Sequence, residues 1–219
     1  MFRIACLHTA ESNVPIFEAA LRDSGLTDVE LRHAVRAELL TRAEHSGGLT
    51  PEVTARTIEA LHALCEGADA VLLTCSTLGP ATEAVDDTAS CPILRVDAAL
   101  AQAAVREGGR IVVLCTAETT IISTRLLFED AARRSGATVT IRLVPGAWEA
   151  FRAGEPKRYL SLIAKAAETA AHGGATRVVL AQASMAGAAQ LAAIDPPALT
   201  SPEAGLRAAL EAIRDYSVR

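Results

Sequence analysis

Short, continuously apolar runs recur along the chain and alternate with longer stretches of helical periodicity. The runs are FRIACLH, VELRHAV, AVLLTC, PILRV, RIVVLC, VTIRLV and RVVLAQ. Runs of this length that are apolar throughout are typical of parallel strands buried on both faces. The stretches between them, such as VPIFEAALRDSG and KRYLSLIAKAAETAAHGG, have helical spacing, and several end in glycine, as helices often do. The alternation predicts an α/β fold in which helices cover both faces of parallel sheets.

An internal repeat relates the two halves of the chain. His8 and Cys115, each at the end of an apolar run, are 107 positions apart (115 − 8), and so are Cys75 and Gln182 (182 − 75). VELRHAV and VTIRLV correspond at nearly the same shift. A repeat of this size predicts two similar, pseudo-symmetric domains. We expect residues 1–98, completed by a C-terminal helix within 202–219, to form the first domain and residues 99–201 the second.

Composition excludes several classes of partner. Half of the 219 residues are hydrophobic, which is enough for a buried core. The net charge of −5 comes from interspersed acidic and basic residues without a Lys/Arg run, so a nucleic-acid partner is not expected. No apolar run approaches the roughly 20 residues of a membrane span, and the opening segment has no signal-peptide core. The sequence therefore predicts a cytoplasmic protein with no membrane partner.

The cysteines argue against a disulfide framework. There are five, an odd number, and they show no paired metal-ligand spacing, so no metal site is expected either. A cysteine within an apolar run is most often a small core residue. Cys75 stands out because it ends a strand-like run in VLLTCSTLGP, next to Ser76 and Thr77.

Polar residues collect where the predicted strands end. In open parallel sheets, ligands bind beyond the carboxyl ends of the strands. If the two domains face one another, these groups converge on a cleft between them, and we expect the active site there. The residues at the strand ends are His8, Thr9, Cys75, Ser76, Thr77, Cys115, Thr116, Thr119, Thr120, Gln182 and Ser184.

Four segments together resemble the aspartate/glutamate racemase superfamily, which includes hydantoin racemases, maleate isomerases and arylmalonate decarboxylases. They are IACLHTAESNVPIF, LLTCSTLGP, VVLCTAETTIIST and VVLAQASMAG, and the resemblance spans most of the chain. It implies a cofactor-independent enzyme whose substrate is a small carboxylate or a related cyclic ureide. In the racemases of this family, one cysteine on each side of the ligand handles the α-proton. The first of these maps onto Cys75.

The second cysteine of the family maps onto Gln182, and there the pattern breaks. An amide cannot act as a general base and is too weak an acid to deliver a proton. Two-thiol racemisation is therefore not expected in the usual form. Gln182 is expected instead to contact a substrate carboxylate or carbonyl, with Ser184 as a further contact, or to fill the strand end as a structural residue.

The remaining site residues have roles that the resemblance and their chemistry suggest. Cys75 precedes a predicted helix start at Pro80, whose positive end favours a thiolate. His8 is the natural substitute for the missing second thiol, because a neutral imidazole can exchange a proton near pH 7. Hydroxyls near helix starts suit a substrate carboxylate, although they also serve as ordinary helix caps. These hydroxyl residues are Thr9, Ser76, Thr77, Thr116, Thr119 and Thr120.

These observations leave more than one function open. The leading expectation is a cofactor-free racemase or isomerase that acts through Cys75 on a small carboxylate or carbonyl compound. A single thiol also suits a decarboxylase, which protonates one face, or a cis-trans isomerase, which adds to an alkene. A protein that binds a small anion without turning it over is the alternative from a different class. The chain could act as a monomer or as a homo-oligomer.

Overall fold

The computed structural model describes residues 1–86, 89–133 and 135–216, except for the side chain of Thr119. The chain divides into two compact units. One consists of Met1–Ala99 with Pro202–Arg219, and the other of Leu100–Ser201. The boundary between Ala99 and Leu100 falls inside a helix, Val96–Val105. Each unit is built around its own sheet.

The first unit contains a four-stranded parallel sheet in the order β2-β1-β3-β4. Its strands are β1 (Phe2–His8), β2 (Val29–Val35), β3 (Ala70–Leu73) and β4 (Ile93–Arg95). Its helices are α1 (Asn13–Asp23), α2 (Ala37–His45), α3 (Pro51–Cys65) and the start of α4 (Val96–Val105), with α8 (Ser201–Tyr216) returning from the end of the chain. The side chain of Thr50 caps α3, and Pro51 takes the first helical position.

The second unit repeats this arrangement, with a parallel sheet in the order β6-β5-β7-β8. Its strands are β5 (Arg110–Cys115), β6 (Thr138–Leu143), β7 (Arg177–Leu180) and β8 (Leu199–Thr200). Its helices are α5 (Ile121–Ala132), α6 (Ala147–Arg152) and α7 (Pro156–His172). Apolar residues of α7, among them Ile163 and Ala167, pack on the sheet in one buried cluster with Leu114 and Leu180.

The predicted fold class is confirmed, and the repeat extends to strand register. Ile4 pairs with Ala70 in the first sheet, and Ile111 pairs with Arg177 in the second, so both partners shift by 107 positions. The predicted strands are all present. Helices α2, α4 and α6 and the two-residue strand β8 were not among the sequence predictions, because each is too short to show a clear period.

Helices cover both faces of the first sheet, because successive strand residues point to opposite sides. Ala5 and Leu7 of β1 pack with Leu39 and Leu61 on the side of α2 and α3. On the opposite side, Phe17 of α1 is fully buried and lies edge-on to His8. Among the described residues, no helix has the length and apolar character required to cross a bilayer.

Helix α8 approaches this sheet closely through Gly205. A Cβ atom at this position would lie 2.8 Å from Val96 Cγ1 and 3.6 Å from Leu72 Cδ1. We expect Gly205→Val to lower the free energy of unfolding by about 2 kcal/mol, because overpacking outweighs the gain in helix propensity. Urea denaturation measures this directly. Asp215→Val, at an exposed position of the same helix, is the control and is expected to change stability by less than about 1 kcal/mol; an equal loss in both would rule out close packing as the cause.

Candidate active site

Cys75 lies just beyond the buried end of β3. It is the only one of the five free cysteines that is not buried. Its side chain packs against the apolar cluster of the first unit, while the adjoining Ser76 and Thr77 are exposed. The loop thus presents one half-exposed thiol beside two exposed hydroxyls, and no other cysteine is comparably placed to meet a dissolved substrate.

The segment after Cys75 differs from the sequence expectation. Instead of an α-helix, a six-residue 3₁₀ helix, Gly79–Ala84, follows the loop, with Pro80 in its first turn. The Gly79 N–H donates to Ser76 O at 3.2 Å. A 3₁₀ helix this short has few aligned peptide dipoles, so the argument that a helix terminus favours the Cys75 thiolate does not hold.

A partly buried ion pair packs against this segment. Arg95 donates to both carboxylate oxygens of Asp97, at 2.7 and 2.8 Å. The guanidinium lies against Gly79, where a Cβ atom would come within 2.5 Å of Arg95 Nη2. The pair joins the end of a strand to the start of a helix, and a spacing of two residues gives no signal of this pairing in the sequence. We interpret the pair as a structural support for the loop that follows Cys75.

His8, at the end of β1, is fully buried. Its Nδ1 lies 2.8 Å from Thr74 Oγ1 and its Nε2 lies 2.9 Å from His33 Nδ1. Burial, and then the neighbouring His33, lowers the pKa of His8 to about 4, so the ring is neutral at pH 7. Both ring nitrogens already have partners inside the unit, which does not match the expected proton exchange near pH 7.

The sulfur of Cys6 lies beside these two rings. One atom each of Cys6, His8 and His33 fall within 4.8 Å of one another, a grouping that could hold a metal ion. Burial, and then the Glu18 carboxylate, raises the pKa of the Cys6 thiol. Sequence spacing did not indicate this cluster, because His33 joins the other two only through the pairing of β1 with β2.

Gln182 follows β7 in the second unit and is held in one orientation. Its Oε1 accepts from the Thr116 backbone N–H at 2.9 Å and from the Thr116 hydroxyl at 2.8 Å. Because a backbone N–H can only donate, the atom facing Thr116 must be the amide oxygen. Leaving aside the undescribed Thr119 side chain, the Gln182 NH₂ group has no hydrogen-bond partner in the described part of the chain and can donate to a ligand.

The same strand-end relation exists in the first unit. Leu7 pairs with Leu73 and Leu114 with Leu180, so Thr9 and Cys75 occupy the positions that correspond to Thr116 and Gln182. Thr9 is 8 % exposed and Thr116 is 2 % exposed. The two strand ends therefore correspond in register, with a threonine and a thiol at these positions in one unit and a threonine and an amide in the other.

Ser184 has a side-chain partner within the second unit. Its hydroxyl lies 2.8 Å from the phenol oxygen of Tyr159, a residue otherwise buried in the core of the second unit. Burial raises the pKa of Tyr159, so its phenol stays protonated. Tyr159 thus belongs to the polar group at this strand end.

The remaining threonines of the second unit contribute less. The Thr120 hydroxyl donates to Ala117 O at 2.8 Å and so stabilises the turn in which it lies. The side chain of Thr119 lies outside the described part of the structure. A surface cavity of about 310 Å³ near Arg142 and Lys165 contains none of the residues predicted for the site.

Comparison with known proteins supports the resemblance found in the sequence. A family model described as Asp/Glu/Hydantoin racemase matches residues 51–209. No curated protein sequence is similar enough to count as a relative. Among solved structures, an aspartate racemase from Picrophilus torridus aligns with a TM-score of 0.73 at 14% identity, covering 98% of this chain and 95% of that one.

Two further structures show the same fold. An allantoin racemase from Klebsiella pneumoniae aligns with a TM-score of 0.69 at 16% identity over 99% of this chain and 89% of that one. An aspartate racemase homologue from Pyrococcus horikoshii aligns with a TM-score of 0.69 at 17% identity over 98% of this chain and all (100%) of the other. At these identities the likeness describes the fold and leaves the substrate to be argued from the site.

Proposed function

Because the chain belongs to the Asp/Glu/Hydantoin racemase family, we propose that it is a cofactor-independent enzyme using Cys75 to move a proton on a small carboxylate or related carbonyl compound. The observation that carries the proposal is the placement of Cys75. It is the one cysteine of five outside the buried core, at a strand end with Ser76 and Thr77 exposed beside it. A thiol there can take up and return a proton, while the hydroxyls suit a carboxylate.

The orientation of Gln182 favours proton transfer at one face of the substrate carbon. Its oxygen is occupied by Thr116, so the group it offers is an NH₂ donor. A donor aimed at an oxygen stabilises the negative charge that develops when an α-proton or carboxyl group leaves. It cannot return a proton to carbon. This supports a one-sided reaction, such as a decarboxylation completed by protonation from Cys75, as the second candidate.

His8 has a positioning role in this proposal. Its ring is buried and forms a hydrogen bond with Thr74, which immediately precedes Cys75. Thr74 in turn donates to Leu7 O at 3.0 Å and thereby joins the ends of β1 and β3. The contact fixes the backbone from which Cys75 projects. A direct proton transfer from His8 to substrate is not part of the proposal.

The remaining features of the proposal come from the sequence. They are a cytoplasmic location, no organic cofactor and no nucleic-acid partner. A homo-oligomer and a monomer are both compatible with it, and light scattering after size-exclusion chromatography distinguishes them. The substrate class follows the activities of the family and of its structural neighbours, so aspartate, glutamate, allantoin and simple hydantoins are the first compounds to test.

Deuterium exchange at the α-carbon tests the proposal. In D₂O, the Cys75 thiolate would take the α-proton, exchange it with solvent, and return a deuteron to the same face. We therefore expect exchange with retention of configuration for at least one compound of the panel, followed by NMR and chiral chromatography. Rapid racemisation by the unmodified protein would contradict proton transfer at only one face of the substrate carbon. Binding of a compound without exchange or any turnover would instead indicate a non-catalytic anion-binding protein.

A further inference from the structure

Three side chains that can bind a metal ion meet on one face of the first sheet. Cys6 and His8 are two residues apart on β1 and so point to the same side. His33 on β2 is the register partner of Cys6 and shares that side. We propose that Cys6, His8 and His33 form a binding site for a divalent transition-metal ion of the zinc class.

The outer contact of His33 determines which of its nitrogens is free. His33 Nε2 lies 3.1 Å from Glu18 Oε1. An ionised carboxylate can only accept, so this nitrogen carries the proton. In the neutral ring, the lone pair is then on Nδ1, the atom that faces His8.

The outer contact of His8 gives a matching result. The Thr74 hydroxyl lies 3.0 Å from Leu7 O, an atom that can only accept, and donates its single proton there. Thr74 Oγ1 therefore accepts from His8 Nδ1, 2.8 Å away. This leaves the lone pair of His8 on Nε2, facing His33.

Two lone pairs thus converge at a separation of 2.9 Å between His8 Nε2 and His33 Nδ1. Without a cation between them this contact is repulsive. A bare proton would satisfy the two nitrogens, but it would not involve the sulfur of Cys6, which lies within 4.8 Å of both. One sulfur and two imidazole nitrogens are ligands that tetrahedral zinc sites use.

The surroundings suit a metal ion. Metal-binding histidines usually donate their other N–H to a carboxylate or another oxygen, which orients the ring, and Glu18 and Thr74 occupy these places. The Cys6 thiolate together with the Glu18 carboxylate balances a charge of +2. Tetrahedral coordination needs a nitrogen–nitrogen distance of about 3.3 Å, so the two rings must separate by only a few tenths of an ångström.

Titration with Co²⁺ as a coloured stand-in for Zn²⁺ tests the site. We use a Cys75→Ser background, which removes the one cysteine outside the core. One equivalent is expected to produce a thiolate-to-cobalt charge-transfer band together with the strong visible bands of tetrahedral cobalt. Zn²⁺ should displace it, and X-ray absorption of the zinc form should show one sulfur and two nitrogen neighbours.

Matched variants locate the ion. His33→Gln, at a partly exposed position, should weaken binding by about a hundredfold, and Glu18→Gln by about tenfold through loss of the outer contact. The controls are His45→Gln and Glu44→Gln, which alter exposed residues of α2 and should leave binding unchanged. Cys6→Ala tests the sulfur. If Cys6→Ala fails to fold, the thiolate-to-cobalt band of the Cys75→Ser protein, and its loss in folded His33→Gln protein, still test whether the sulfur binds the ion at this site.

Several results would overturn the proposal. They are the absence of stoichiometric binding, equal binding by His33→Gln and His45→Gln, or a cobalt spectrum without a thiolate band. In the first case a proton shared between His8 and His33 would account for their close approach.

Discussion

Cys75→Ser is expected to abolish turnover, reducing kcat by about a thousandfold or more for any substrate found in the exchange assay. Serine keeps the size of the side chain, but its hydroxyl is a much weaker acid than the thiol and is rarely ionised near neutral pH. The loss matches what removal of a positioned acid–base group usually causes. The fold should survive, because Cys75 is half-exposed and leaves little cavity.

The control for this variant is Cys91→Ala, which removes a buried thiol away from the strand end. It should retain activity even if its stability falls. Iodoacetamide provides an independent measure, since native protein should be alkylated once, at Cys75, and Cys75→Ser protein hardly at all. Full activity in a folded Cys75→Ser protein would show that the thiol takes no part in the reaction.

Gln182→Cys is expected to introduce racemisation where the unmodified protein shows only exchange with retention. The substitution places a second thiol at the position where, by the resemblance, racemases of this family have one. It also removes the amide oxygen from Thr116 and frees the Thr116 N–H and hydroxyl as hydrogen-bond donors. These donors favour a thiolate, which can remove or return a proton as an amide cannot. Chiral chromatography of products formed in D₂O gives the ratio of inversion to retention.

The control for this second variant is Gln182→Ala, which removes the amide without supplying a thiol. It should show no racemisation and slower exchange, because the NH₂ donor is lost. A misplacement of the new sulfur by about 1 Å can cost a hundredfold in rate, so the initial rates of inversion must be measured over long incubations. Equal inversion by Gln182→Ala and Gln182→Cys would contradict a role for the new thiol.

The sequence carried enough information for the sheets because their strands are buried on both faces. FRIACLH and VELRHAV coincide with β1 and β2 residue for residue. The shift of 107 also predicted that Cys75 and Gln182 occupy equivalent strand ends, which the registers of β3 and β7 bear out. Continuous apolar runs and the repeat spacing are properties of the sequence, so both can be recognised without the structure.

The details around the site depended on contacts between distant residues. Pro80 is typical of an α-helix start, but the structure has a short 3₁₀ helix at this place. Arg95, which is distant in the sequence, packs against Gly79 at its first residue. His8 was read as a residue at a strand mouth, yet His33 and Thr74 enclose it. The hydroxyl of Tyr159 reaches Ser184 only through the tertiary structure. No local pattern encodes such pairings.

The paired threonines have a consequence for how such a chain can change its chemistry. Thr9 and Thr116 occupy equivalent positions in the two units. The residues at the corresponding strand ends, Cys75 and Gln182, can differ because each lies past the last ladder pair of its strand. A thiol and a carboxamide both fit without disturbing the sheet. In this architecture a single substitution at either strand end can therefore change the reactive group while the pairing of the strands stays the same.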